Sequence, residues 1–168
     1  MHPSTVDSLR DSIASWVEMK NEGGPFTEYA DEMIEQFQVK LQLLEHLLCQ
    51  FVIHGLGLTM KHRSRDAWGI VIPDATQQGR FRWQAFQRDG FTGHCTHGTP
   101  ELCIGDMLDD GYVLVDMGAL DRLSATAEWQ RGMEVVAVIQ ACNAGQMSFE
   151  DAMRKHKEIY SRYQDVAA

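Results

Sequence analysis

The sequence predicts an α+β fold: a three-stranded antiparallel meander that leads into a helix, flanked by N-terminal and C-terminal helices. Three observations predict it. Apolar residues recur at helical intervals over residues 1–60 and again over 118–168, whereas in between the period changes, with Phe81, Trp83 and Ala85 alternating with Arg82, Gln84 and Phe86. Asp89-Gly90 joins two β-rich runs and tolerates the left-handed dihedrals of a tight hairpin turn. With 168 residues, 44% of them hydrophobic and 23% charged, the chain reads as one domain, 1–168, long enough to bury a core.

Each element has its own signal. A first helix is predicted from about Thr5 to Lys20, with Ser4 and Asp7 at the spacing of a capping pair and Val6, Leu9, Ile13, Trp16 and Val17 along one stripe. The breaker run Asn21-Glu22-Gly23-Gly24-Pro25 ends it. A second and longer helix should run from Thr27 to about His54, its apolar face built by Ala30, Met33, Ile34, Phe37, Leu41, Leu44, Leu48, Phe51 and Val52. Gly55 and Gly57 stop it. Trp68–Ile72 reads as the first strand of the meander. Phe81–Phe86 reads as a half-buried second strand, and Phe91–His97 as the third. Thr99-Pro100-Glu101 combines a hydroxyl cap, a proline at the first helical position and an acid, so a helix follows and ends at Asp110-Gly111. Tyr112–Val115 fits a fourth, edge strand. Ser124 or Thr126 would cap a helix through about Cys142. Ser148 and Asp151 would cap a last one ending near Tyr163, before a fraying Asp165–Ala168.

Charge is distributed unevenly. The formal net charge is −9, made of −6 in residues 1–60, +3 in 61–99 and −6 in 100–168. A basic β-rich middle therefore sits between acidic helical flanks. This balance disfavours a general binder of nucleic acid or anionic membranes and favours a basic partner. The N-terminus lacks an apolar signal region, and no apolar run approaches the ~18–20 residues that span a bilayer. Cys49, Cys95, Cys103 and Cys142 are scattered, as suits reduced thiols in a cytoplasm.

Several groupings could carry chemistry. His94, Cys95, His97 and Cys103 supply imidazole and thiolate donors within ten positions, a possible zinc set without a C-x-x-C knuckle. Cys103 near a helix start, with His94 or His97 close by, is the candidate thiol nucleophile. Inward packing accounts for Cys103 more simply, and core or flank packing accounts for His46, Cys49 and His54. No phosphate-loop motif occurs, and Asp106, Asp109 and Asp110 lack calcium-loop spacing. No cofactor is expected, zinc being the alternative.

Lys61, Arg63, Arg65, Arg80, Arg82 and Trp83 form a candidate nucleic-acid surface. Over about residues 67–111, three antiparallel strands followed by a helix resemble AP2-type and recombinase arm-binding DNA domains, which implies contact through the exposed sheet. Those domains carry more arginine and lysine there, and the −12 of the flanks would repel phosphate. The stretches Phe81-Arg82-Trp83-Gln84-Ala85-Phe86, Asp89-Gly90-Phe91-Thr92-Gly93-His94, Asp110-Gly111-Tyr112, Gly118-Ala119-Leu120-Asp121 and Glu128-Trp129-Gln130-Arg131-Gly132 are similar to small accessory proteins of plasmids, integrative elements and phages. That resemblance implies the setting of acidic inhibitors of host defence, anti-restriction and anti-CRISPR proteins among them. It carries over no catalytic residue.

The expectation is a non-enzymatic protein that binds a basic protein partner through acidic helices. Glu28, Asp31, Glu32 and Glu35 crowd the start of the second helix, and Asp106, Asp109, Asp110 and Asp116 crowd a later turn. The alternatives are nucleic-acid binding through the meander and a small zinc-binding or thiol-dependent enzyme. A homodimer seam along the second helix is as economical as burying that face within one chain.

Overall fold

The computed structural model describes residues 2–23 and 26–164, so the breaker pair Gly24-Pro25 and the expected fraying at Asp165–Ala168 lie outside the described residues. Helices α1 (Val6–Glu22) and α2 (Thr27–His54) form a hairpin. The ion pairs Arg10–Glu45 and Lys20–Asp31 join opposite ends of the two helices and so run them antiparallel. The capping box of α1 lies one residue beyond the expected pair. Thr5 Oγ1 accepts from the Ser8 N–H at 3.1 Å, and Ser8 Oγ accepts from the Thr5 N–H at 2.9 Å. Ser4 is drawn away from Asp7 because its N–H and hydroxyl both donate to Asp109, at 2.8 and 2.7 Å. Asn21 and Glu22 extend the helix rather than break it, and Gly23, at φ 73°, closes it.

The sheet has five antiparallel strands in the order β4-β3-β2-β1-β5: β1 (Thr59–His62), β2 (Trp68–Pro73), β3 (Phe81–Gln87), β4 (Gly90–His97) and β5 (Tyr112–Val115). The meander β2-β3-β4 is the predicted one, with Trp68 opposite Phe86 and Trp83 opposite Cys95. Strand β1 was not predicted. Its four residues are too few for a clear period, and pairing with β2 on one side and β5 on the other makes it a strand. Helix α3 (Pro100–Asp109), capped by Thr99 as expected, carries the chain from β4 across the sheet to β5.

Alternation along the strands sends side chains to two cores. One face of the sheet buries Met60, Val71, Trp83 and Ala85 against Cys103, Ile104, Met107 and Leu108 of α3 and Leu44 and Leu47 of α2. The opposite face buries Trp68, Ile70 and Phe86 against Ala119 of α4 (Ala119–Ser124) and Trp129 of α5 (Ala127–Asn143). The Trp129 ring meets Phe86 and Phe91 edge-on, with centroids 5.9 and 5.1 Å away. Two glycines permit this layering. A Cβ on Gly105 of α3 would sit 2.0 Å from the Ser4 carbonyl oxygen, and one on Gly132 of α5 would sit 1.7 Å from that of Asp89. Helix α6 (Phe149–Gln164) begins at the Ser148/Asp151 pair as expected and packs back on α5. Of the flanking helices, only the six-residue α4 had no signal of its own.

Candidate protein-binding surface

The acids singled out in the sequence fall into two groups with different surroundings. Glu28, Asp31, Glu32 and Glu35 all lie exposed on the first half of α2. Asp31 pairs with Lys20 and Glu32 accepts from Gln36 at 3.0 Å, while Glu28 and Glu35 have no ion-pair partner among the described residues. Little of this half of the hairpin is buried, although Phe37 packs against the main core. Leu9 is the only buried residue of α1, and between Ala30 and Leu44 no residue of α2 is buried. Phe26 and Tyr29 are more than half exposed beside these acids.

The later acids are engaged within the chain. Asp106 accepts from Trp83 Nε1 at 2.7 Å and lies 2.9 Å from His97 Nε2. Asp109 holds Ser4 and pairs with Lys40 at 2.6 Å. Asp110 pairs with Arg65 at 3.3 Å, and Asp116 accepts from Trp68 Nε1 at 2.8 Å and from Arg122 at 2.7 Å. The Arg122 hydrogen bond foremost, and then the Trp68 indole, hold the Asp116 carboxyl below its usual range. These groups tie the N-terminus, α3 and the turn after β5 to the sheet. Only Asp110, in an exposed pair worth ~0–1 kcal/mol, is readily released to an outside partner.

A groove of about 480 Å³ lies between α2 and β5. Its floor is apolar, made by Val39, Leu43, Leu108 and Val113, and Glu32 and Glu35 stand on its rim. Arg63, which is exposed and without an ion-pair partner among the described residues, also lines it. The groove lies where α2 packs on α3 and β5, beside the edge strand of the sheet. No sequence signal marks it, since its walls come from segments some seventy residues apart.

Most of the proposed nucleic-acid residues are engaged or buried within the chain. Lys61 pairs with Asp66 at 3.3 Å and lies 4.9 Å from the Trp68 ring centroid, and Arg65 is held by Asp110. Arg80 donates to the Thr96 carbonyl at 3.4 Å. The Arg82 Nε is buried with no hydrogen-bond acceptor. Trp83 points to the opposite face of β3 from Arg82 and is buried there, and Phe86 is buried in the second core, so neither ring can stack on a base.

The histidines and cysteines are likewise divided. Cys95 and His97 share the α3 face of β4, and Cys103 comes near them from the first turn of α3, fully buried. His94 lies opposite Gln84, on the other face. Among the described residues, no three of His, Cys, Asp and Glu are arranged to hold a metal ion. Burial first, then the Asp106 carboxylate, push the Cys103 thiol up to about 12, and the same two causes raise Cys95. Both shifts oppose the thiolate a nucleophile needs. His46, Cys49 and His54 lie on the exposed flank of α2.

Among the described residues, no helix is long and apolar enough to cross a membrane. No protein-family model matches the chain, and neither a curated protein nor a solved structure matches it.

Proposed function

We propose that this is a non-enzymatic protein-binding protein whose acidic α1–α2 hairpin, with the groove beside it, engages a basic surface on a partner protein. The observation that carries the reading is the contrast between the two groups of acids. Those of α3 and its surroundings hold the chain together, whereas Glu28, Asp31, Glu32 and Glu35 are exposed on the first half of α2. A carboxylate held in a fixed intramolecular hydrogen bond has little left to offer a partner, while exposed acids steer association and favour a positive surface. Phe26 and Tyr29 supply the large apolar contact that charge alone lacks.

A protein that handles nucleic acid fits the partner role, because its phosphate-binding channel is a basic surface already formed. The concrete form is an inhibitor of a host defence system, of the anti-CRISPR or anti-restriction type, carried by a mobile genetic element and acting in the cytoplasm. The test is affinity capture from the source cells with the native protein and with the variant Glu28→Lys/Asp31→Lys/Glu32→Lys/Glu35→Lys. These positions are exposed, so circular dichroism should be unchanged. The reading expects a partner that binds the native protein, dissociates as salt rises and is lost with the variant. A partner retained equally by both forms, or complexes insensitive to salt, would refute it.

A further inference from the structure

We propose that an extended segment of the partner, with apolar residues alternating with basic ones, binds in the groove between α2 and β5 as an added strand on the free edge of β5. This rests on the reading of the acidic hairpin as a protein-binding surface and specifies how the partner is held there.

Strand β5 is the last in the sheet and pairs with β1 on one side only. Edge strands are usually guarded by lysine, proline, an inward charge, a bulge or very short length. Tyr112-Val113-Leu114-Val115 is short, at four residues, but carries no lysine, proline or charge, and Leu114 is 55% exposed. The other edge, β4, is interrupted by polar residues and by Gly93 in the run Phe91-Thr92-Gly93-His94-Cys95-Thr96. The irregularity in the β1–β5 ladder falls at Lys61/His62, so Leu114 and Val115 remain in regular register opposite Lys61 and Met60.

The groove determines which segment fits. An added strand sends alternate side chains to opposite faces. On the groove side they would meet the floor of Val39, Leu43, Leu108 and Val113. Glu32 and Glu35 stand above that floor, and neither has an ion-pair partner among the described residues. Arg63, on the same lining, is the opposing cation, and Lys40 is already taken by Asp109, so the three carboxylates Glu32, Glu35 and Asp109 outnumber the two cations and favour a basic segment over an acidic one. The four residues of β5 offer ~13 Å of edge at ~3.3 Å per residue, enough for main-chain pairing with a short segment.

The probe is a fluorescein-labelled octapeptide of alternating arginine and valine. It is compared with an alternating glutamate–valine peptide and with the arginine–valine peptide N-methylated at every second residue. N-methylation keeps charge and side chains but removes main-chain donors. The expected result is saturable binding of the first peptide with amide shifts and slowed hydrogen exchange at Val113–Val115. The N-methylated peptide should bind roughly tenfold or more weakly, since about two net hydrogen bonds are lost, and the glutamate peptide should not bind. Glu32→Lys/Glu35→Lys should weaken the arginine peptide without changing the fold. Equal binding of the N-methylated peptide, or shifts confined to α1 and α2, overturns strand addition and leaves the acidic-surface reading standing. Absence of peptide binding, where cellular capture still depends on the α2 acids, also overturns strand addition alone. If neither capture nor peptide binding responds to the charge reversals, both readings fall.

Discussion

At Gly105 and Gly132 one added methyl group tests the packing of a layer. Alanine is intrinsically better than glycine in a helix by up to ~1 kcal/mol, so an isolated helix would be strengthened by either change. At Gly105 the Cβ would lie 2.0 Å from the Ser4 carbonyl oxygen, which is backbone and cannot rotate aside. Gly105→Ala should therefore lower stability by about 1–3 kcal/mol in denaturant unfolding, and the sign alone distinguishes close approach from helix propensity. The cysteines allow a second check. With its thiol pushed up to about 12 by burial and by Asp106, Cys103 should resist alkylation of the native protein at pH 8, whereas exposed Cys49 should react. Mass spectrometry of the modified chain reads the outcome. Rapid labelling of Cys103 before unfolding would mean that α3 is not docked as described.

Helix α5 is attached to the sheet through few groups: Trp129 between Phe86 and Phe91, Met133, and the contact of Gly132 with the β3–β4 turn. Helix α6 depends on α5 in turn, with Ile159 and Ala152 buried between them. Gly132→Ala is thus expected to loosen α5 and α6 together while the core under α3 stays formed. Hydrogen exchange should accelerate in residues 127–164 and not in β1–β3, and the near-ultraviolet signal of Trp129 should weaken. Uniform acceleration across the chain would show that the second core is part of one cooperative unit. The α1–α2 hairpin reaches the main core chiefly through its base, with Phe37 and the Lys40–Asp109 pair adding contacts from the first half of α2. Substitutions among the exposed acids of that half should change stability by no more than ~0.5 kcal/mol, so effects on binding there can be read directly.

For the whole molecule, carboxylates set the dependence on pH. Asp74 accepts from the Thr96 and Thr76 hydroxyls and from the Thr76 and Gln77 N–H groups. The Thr96 hydroxyl is the largest of these influences, and together they hold the Asp74 carboxyl far below its ordinary value. Asp66 is lowered chiefly by Arg88, and Asp116 chiefly by Arg122. A carboxyl depressed in the folded state binds fewer protons there than in the unfolded chain. The stability it contributes is full above its unfolded pKa of about 4 and lost as pH falls below that. Thermal midpoints should accordingly be insensitive to these groups near neutrality and fall below about pH 4, and Asp74→Asn should flatten that acid limb. A midpoint that rose on acidification would contradict the hydrogen bonding of this loop.

Much of this architecture was legible in local pattern. The hydroxyl cap and proline of α3, the Asp89-Gly90 turn and the long stripe of α2 each act within a few residues of themselves, so one sequence suffices to read them. By itself the sequence determined the α+β class, the meander, the main helices and a basic middle between acidic flanks, because periodicity, capping and charge are local properties. Only the tertiary structure decided that β1 is a strand, that Trp83 and Phe86 are buried on opposite faces, and that Asp106, Asp109 and Asp116 serve the fold while Glu28, Asp31, Glu32 and Glu35 of α2 stay exposed. It also created the groove beside β5. Each of these depends on which distant segments meet, and a side chain cannot show in its own neighbourhood whether its partner will be solvent, a core or another part of the chain.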